Sequence, residues 1–310
     1  MADTPTIALI GLGALGAAHL ATILDHDPSV DARVIAGGER AERLRRDGMT
    51  VNGKHYDLAV VDPADRTLSP ADLVIVVTKA SGLESALADV AGQVGPATTI
   101  ISLLNGVTSE GIIRQAFPDA FVPLAFSVGS NAGRDEAGFR YYSLGRVNVG
   151  ESRNDPPSEA VARLDDLLTR IGLPHEVPLD MEAAQWRKFV LNVGVNQASA
   201  VLETTYGPFQ AEGAQARAYM VSLMAETVAV GRAHGVDLSD EDVTRCVATV
   251  DSLAAVGYTS MSQDARAHRP MEIDLFAGTV VRLGTEHDVP TPVNALTEQI
   301  LRAKEETWTI

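Results

Sequence analysis

Lys188, Asn192 and Asn196 are the first residues to weigh for chemistry. They stand four apart in the stretch Trp186–Ala200, WRKFVLNVGVNQASA. In a helix each step of four overshoots a full turn by about 40°, so the three share one face along roughly 12 Å of axis. Phe189, Val190, Leu191, Val193 and Val195 take the other directions, which leaves little surface for solvent. Gly194 and the valines are mediocre helix formers, so packing must hold this helix together. One ammonium and two amides in a row suit a small molecule with a carbonyl, hydroxyl or carboxylate. The competing reading is a surface helix with a solvated polar edge.

The elements that would position such a row come into view from the start of the chain. Thr6–Ile10 (TIALI) reads as a buried strand, followed by Gly11-Leu12-Gly13-Ala14-Leu15-Gly16 and a helical pattern to about Leu24. This is G-x-G-x-x-G in the setting it requires, after a strand and opening a helix. Gly11 permits the tight turn, Gly13 lets a pyrophosphate approach the backbone, and Gly16 lets the helix pack against the sheet. The helix N-terminus adds unpaired N–H groups and a positive dipole end. The expected ligand is a dinucleotide.

Asp31–Ala36 (DARVIA) is the second strand. The loop after it reads Gly37-Gly38-Glu39-Arg40. An acid here binds a ribose 2′-hydroxyl, and an arginine accepts a 2′-phosphate. Glu39 points to NAD. Arg40, with Arg43 behind it, points to NADP, which is the reading adopted, with NAD left open; alternatively both arginines decorate the exposed face of the helix Glu39–Asp47.

Met49–Val61 reads as a small hairpin or irregular excursion. Asp72–Thr78 (DLVIVVT) and Thr98–Leu103 (TTIISL) read as buried parallel strands by their continuous apolar runs. Lys79 and Asn105 stand just past their carboxyl ends, the edge at which open α/β sheets bind ligands. Each has a plainer alternative, a solvated loop lysine and an Asn-Gly turn. Gly82–Gly92 reads as a helix. Ala120–Val128, Phe139–Ser143 and Arg146–Val149 are short strands, Ser158–Ile171 an amphipathic helix, and His175–Val177 closes this half. Beyond it only helical candidates remain: Gly213–His234, Ser239–Leu253, Glu272–His287 and Val293–Lys304. The expected fold is α/β: an N-terminal Rossmann-like, doubly wound domain (1–178) followed by an all-α domain (179–310), with a cleft at their junction.

Composition narrows the partners. The 310 residues are 45% hydrophobic and 21% charged, which suits a sizeable core. A net charge of −16 disfavours nucleic acid and anionic membranes as partners. Cys246 is the single cysteine, so no internal disulfide is possible and a reducing, cytoplasmic setting fits. The opening MADTP has an acid at Asp3 and no basic run, so neither a secretory leader nor a membrane span is expected. The seven histidines are scattered, with no pair at i+3 or i+4, so no metal site is expected.

Five blocks in order make the chain resemble the ketopantoate reductase family: IALIGLGALG at the start, VVTKA at 76–80, LLNGV at 103–107, WRKFVLNVGVNQASAV at 186–201 and TSMSQDARAHRPMEIDLFAGTVVRLGTEHDVPTP at 259–292. The resemblance implies NADPH-dependent reduction of 2-dehydropantoate to pantoate, on the way to pantothenate. It implies that Lys188 is the catalytic lysine and that Glu272 is the glutamate near it and the substrate hydroxyl. It also implies that Asn192, Asn196 and Ser260 hold the substrate, and that Asn105 and Lys79 lie beside the nicotinamide and substrate. A homodimer through the helical half is a further implication. Asp264 falls on a family position without a firm role.

The chemistry suits these residue types. Hydride addition to a carbonyl develops negative charge on oxygen, and an ammonium in reach stabilises it and donates the proton. A lysine with an ordinary pKa of about 10.4 is charged at neutral pH, and a carboxylate such as Glu272 holds it so. Plainer readings are a helix N-terminal acid for Glu272 and an N-cap for Ser260.

Three positions depart from the family pattern. Gly37 stands where arginine is common, Leu104 where glutamine usually precedes the asparagine, and Ser143 where histidine is frequent. Two other functions therefore stay open: a same-fold reductase acting on another 2-oxo acid or an imine, and a non-catalytic NADP-binding sensor. Hydroxyacid dehydrogenases of the 3-hydroxy type also pair a lysine with an asparagine four residues on. The lead-in Gln185-Trp186-Arg187 lacks their glycines.

Overall fold

The structure is a computed structural model that describes residues 4–308; Asp3 lies outside the described residues. The chain packs as two compact units that divide between Glu182 and Ala183.

The first unit opens with β1 (Thr6–Ile10), α1 (Ala14–His26), β2 (Asp31–Ile35), α2 (Gly38–Asp47), β3 (Met49–Val51), β4 (Lys54–Tyr56) and β5 (Ala59–Val61). It continues with β6 (Leu73–Val76), α3 (Leu83–Val90), β7 (Thr99–Ser102) and α4 (Ser109–Ala116). It ends with β8 (Leu124–Val128), β9 (Asn131–Asp135), β10 (Gly138–Ser143), β11 (Arg146–Gly150), α5 (Glu159–Arg170) and β12 (His175–Glu176). Five parallel strands form the central sheet in the order β5-β2-β1-β6-β7, with β1 paired on both sides. The apolar runs of β1 and β6 reflect this, because both faces are covered. Leu9 packs with Ala17, Leu20 and Leu44 of α1 and α2. Ala8, Ile10, Val74 and Val76 pack with Leu83, Leu87 and Ile113 on the other side.

Two smaller sheets complete the unit. One has the order β4-β3-β10-β9, the other β12-β11-β8. The Met49–Val61 excursion is thus the β3–β4 hairpin plus β5, which returns to the parallel sheet. Neither β9 nor α4 was readable as a separate element: β9 is NAGRD, polar and mostly exposed, with no apolar alternation to betray it.

The second unit contains α6 (Met181–Leu202), α7 (Gly207–Gln210), α8 (Gln215–Ala233), α9 (Asp240–Ser252) and α10 (Ser260–Arg266). A π-helical turn, Asp274–Gly278, then leads into α11 (Thr279–Glu286), and α12 (Pro292–Thr307) completes the unit. Among the described residues it has no strand. Gly194 is explained by packing: a Cβ there would lie 2.4 Å from Met224 Cγ of α8. The mediocre helix former is what lets α6 and α8 approach. Lys304 closes the end of α6, donating to the Ala200 carbonyl at 2.9 Å and pairing with Glu203 at 2.8 Å. Glu226 caps α12 by accepting from the backbone N–H of Val293 and Asn294 at 2.8 and 2.9 Å. Ser239 and Asp242 form a reciprocal capping box on α9.

Candidate active site

The glycine turn behaves as its spacing requires. Gly11 has φ +97°, and a Cβ there would meet the Val77 carbonyl oxygen at 2.4 Å. A Cβ at Gly16 would lie 2.6 Å from the Gly11 carbonyl oxygen. Both positions are closed by the protein's own backbone. Gly13 differs, because a Cβ there would meet nothing within 4 Å. Gly13 is the extended N-cap of α1 and brings no side-chain cap. The first amides of α1, from Ala14, Leu15 and Gly16, therefore face outward without intrahelical acceptors, next to open space. Leu12 is buried in the core, and its carbonyl accepts from Arg40 Nη2 at 3.3 Å.

The carboxyl ends of β1, β6 and β7 lie side by side in the sheet, which brings Gly11, Lys79 and Asn105 to one edge. Lys79 is exposed and N-caps the short turn Ala80–Gly82, its carbonyl accepting from Gly82 at 3.0 Å. Asn105 is half-buried, three residues past β7. Beneath its loop lies a buried polar set that sequence reasoning missed. Ser102 Oγ and Ser109 Oγ are 2.8 Å apart, and Ser109 donates to Glu110 Oε2 at 3.0 Å. Glu110 Oε1 accepts from the Ala125 N–H at 3.2 Å. Leu104 packs in the core with Val76, Leu83 and Ile113, so its side chain is turned away from the edge that carries Asn105. Thr78 was also missed. Its Oγ1 is buried at the end of β6 with no hydrogen-bond partner, a donor–acceptor that a bound ligand would satisfy. The open ground at Gly13, the outward amides and the orphaned Thr78 hydroxyl all fit a phosphate-bearing cofactor.

In the second unit α6 carries Lys188 and Asn192, both half-buried, and Asn196, which is 5% exposed. The neighbouring residues fix this helix firmly. Arg187 pairs with the buried Asp242 at 2.8 Å. Burial pushes the Asp242 carboxyl up, but the Ser239 N–H, Arg187 and Arg245 together hold it below the usual carboxylate range. Cys246 Sγ reaches the Arg187 carbonyl at 3.5 Å. Burial, with the Asp242 charge, pushes its thiol up to about 12, so it stays protonated and unreactive at neutral pH. The ring of Phe189 stacks on Phe276 of the π-helical turn, with centroids 6.4 Å apart. Glu272 lies two residues before that turn, its carbonyl accepting from the Phe276 N–H at 3.2 Å, and Met271 N–H is held by Glu305 at 2.6 Å. The Phe189–Phe276 contact thus ties the segment of Glu272 to the residue beside Lys188.

The helix expected over Glu272–His287 is corrected by this geometry. It begins as a π-turn at Asp274, and Glu272 lies before it, so the Glu272 amide is not part of a regular helix. The cap assignment around Ser260 changes too. Thr259 is the N-cap of α10, accepting from the Ser262 N–H at 3.0 Å, and Ser260 is the first helical residue, exposed. Thr259 Oγ1 in turn lies 2.7 Å from Ser199 Oγ of α6. That pair, also missed from sequence, links the helix of Asn196 to the start of the helix of Ser260. Asp264 pairs with Arg269 at 2.8 Å and closes the loop after α10. The Ser143 hydroxyl accepts from the Gly145 N–H at 3.3 Å. Among the described residues no three His, Cys, Asp or Glu side chains are grouped to hold a metal, and no helix is long and apolar enough to cross a membrane.

Comparison with known proteins agrees with these features. Residues 7–154 match the family described as ketopantoate reductase PanE/ApbA, and residues 180–305 match its C-terminal part. The 2-dehydropantoate 2-reductase of Caulobacter vibrioides is 31% identical over 305 residues, 96% of this chain and 98% of that one. The enzyme of the same name from Streptococcus pyogenes serotype M3 is 31% identical over 267 residues, 84% and 86% of the two chains. Among solved structures, a D-mandelate dehydrogenase with NADH and anilino(oxo)acetate superposes with a TM-score of 0.86 at 23% identity, covering 98% and 99%. A dimeric ketopantoate reductase from Staphylococcus aureus gives 0.81 at 19%, covering 97% and 99%. At these identities the two structures speak for the fold. With both parts of the family pattern matched in order along a Rossmann-like unit and a helical unit, the chain belongs to the ketopantoate reductase family.

Proposed function

We propose that the protein is an oxidoreductase that reduces 2-dehydropantoate to pantoate with NADPH. The observation that carries this is the polar row Lys188, Asn192 and Asn196 on a rigidly packed helix, in a chain whose relatives are named for that reaction. When bound, the reduced nicotinamide supplies a hydride for the substrate's carbonyl carbon. The Lys188 ammonium stabilises the negative charge growing on the carbonyl oxygen and gives it a proton, then regains one from solvent. Glu272 keeps that amine charged and aimed. Asn192, Asn196 and Ser260 bind the hydroxyl and carboxylate ends of the substrate. Asn105 and Lys79 orient the cofactor's reactive end. The backbone of Gly11–Gly16 holds the pyrophosphate, and Arg40 serves the adenosine end. The active form is a homodimer through the helical unit, where Leu296 and Ile300 lie exposed one turn apart on α12.

Purified protein mixed with NADPH and 2-dehydropantoate should consume the cofactor, faster than with NADH. Absence of turnover between about pH 5 and 9 would overturn the reading. A second reading is reduction of a different 2-oxo acid. The fold shared with a D-mandelate dehydrogenase favours keeping it. Ranking kcat/KM for 2-dehydropantoate against aromatic and aliphatic 2-oxo acids separates the two.

A further inference from the structure

The α2 arginines do not stand alone. Beside the glycine turn lies a cavity of about 310 Å³. Its wall carries Arg40 and Arg43 from α2, Arg134 from β9, the ring of Phe139 and the side chain of Asp47. Three guanidinium groups around one hollow are unexpected in a chain of net charge −16. Asp47, the one acid among the lining residues, is already engaged by Arg46 through two hydrogen bonds of 2.7 and 2.8 Å. Arg40 is tethered to the Leu12 carbonyl inside the glycine turn. Arg134 is steadied over the Phe139 ring, 5.2 Å from its centroid. Like charges gathered at a cavity repel one another until an anion joins them. Guanidinium groups in particular match the oxygens of a phosphate.

We propose that this cavity receives the 2′-phosphate of the cofactor's adenosine, and that Arg134 is a specificity-determining residue for NADP. The proposal rests on the reductase reading above and extends it to a residue outside the β2–α2 loop. Gly37 offers no side chain at the start of that loop, so the cation is supplied from the opposite side by β9, the edge strand of the four-stranded mixed sheet. A 2′-hydroxyl carries no charge to neutralise the three arginines, so NADH is bound without this contact.

The test needs no turnover. Calorimetry with 2′,5′-ADP and with ADP on the full-length wild type should show the 2′-phosphate improving affinity at least about tenfold. Arg134→Gln should lose most of that preference and leave ADP affinity within about twofold. Arg45→Gln, a change on α2 outside the cavity, should preserve the preference and so controls for general loss of positive charge. Arg134 is exposed, so an unchanged melting temperature is expected for its variant. Equal binding of the two nucleotides by the wild type, or an intact preference in Arg134→Gln, would overturn the proposal. Failure of the reductase reading looks different: the nucleotide preference would persist while no 2-oxo acid is turned over.

Discussion

In the function proposed above, the glycine turn and the polar face of α6 hold a small molecule in opposite ways. At the turn the proposed binding surface is the main chain, and side chains at Gly11 and Gly16 are excluded by the protein's own backbone. At α6 the main chain is hidden in packing, and the proposed contacts come from side chains. The contrast extends to the role of glycine. Gly11 and Gly16 are fixed by the protein's own carbonyls, and Gly194 by the side chain of Met224. Gly13 has no such neighbour. On the proposed function its lack of a side chain serves a ligand, whereas the other three concern the fold.

The comparison can be broken most sharply at Lys188. Lys188→Ala should lower kcat/KM about a thousandfold, some 4 kcal/mol of transition-state stabilisation, while the melting temperature stays within about two degrees. A rate loss accompanied by unfolding would mean that the lysine supports α6 and does no chemistry. At the turn the expected pattern is reversed. Gly11→Ala places a Cβ against backbone at a positive φ and should cost about 3 kcal/mol of stability, read in urea denaturation. Gly13→Ala should leave the urea midpoint almost unmoved and weaken NADPH binding about tenfold. If Gly13→Ala destabilised the chain and spared binding, the distinction between the two glycines would be lost.

His19 sharpens the picture of α1. It is fully buried, with both ring nitrogens lacking partners, and burial lowers its pKa from 6.5 to about 4. The unfolded chain takes up this proton as pH falls through 6.5, and the folded chain only near 4. The contribution is thus fully present above pH 6.5 and is lost progressively down to about 4, roughly 3 kcal/mol in all. His19→Leu should flatten the fall of the urea midpoint between pH 7 and 4. The smallest effect is expected at Ser199. Ser199→Ala removes the hydroxyl contact to Thr259 and should cost about 1 kcal/mol, with a rise of a few-fold in KM for the 2-oxo acid and little change in kcat.

Legibility from sequence divides along the same line. The parallel strands, α1 and the glycine turn were legible because each depends on local rules: continuous apolar runs, φ freedom and fixed spacing. The i, i+4, i+8 row on α6 was legible for the same reason. The features that escaped notice depend on meetings between distant segments. Ser199 and Thr259, 60 positions apart, show no local pattern. Glu110 drew no notice in the sequence, although its carboxylate holds the N–H of Ala125. The role of Arg134 was invisible because β9 has no apolar alternation, and its cavity arises only when that strand is set near α2. The π-turn was hidden because FAGTVVRL continues a helical pattern through it.

That turn has a consequence for how this sequence tolerates changes in length. A π-turn is an α-helix with one surplus residue, so the segment before it is out of phase by about 100° with the helix beyond it. Removing a single residue between Asp274 and Gly278 would let the ladder return to its usual pitch. It would also swing Glu272 a quarter-turn or more about the axis, with its carboxylate chemically intact. In this window the number of residues works as an angular setting, and a shortened relative could keep every functional group and still have them aimed wrongly.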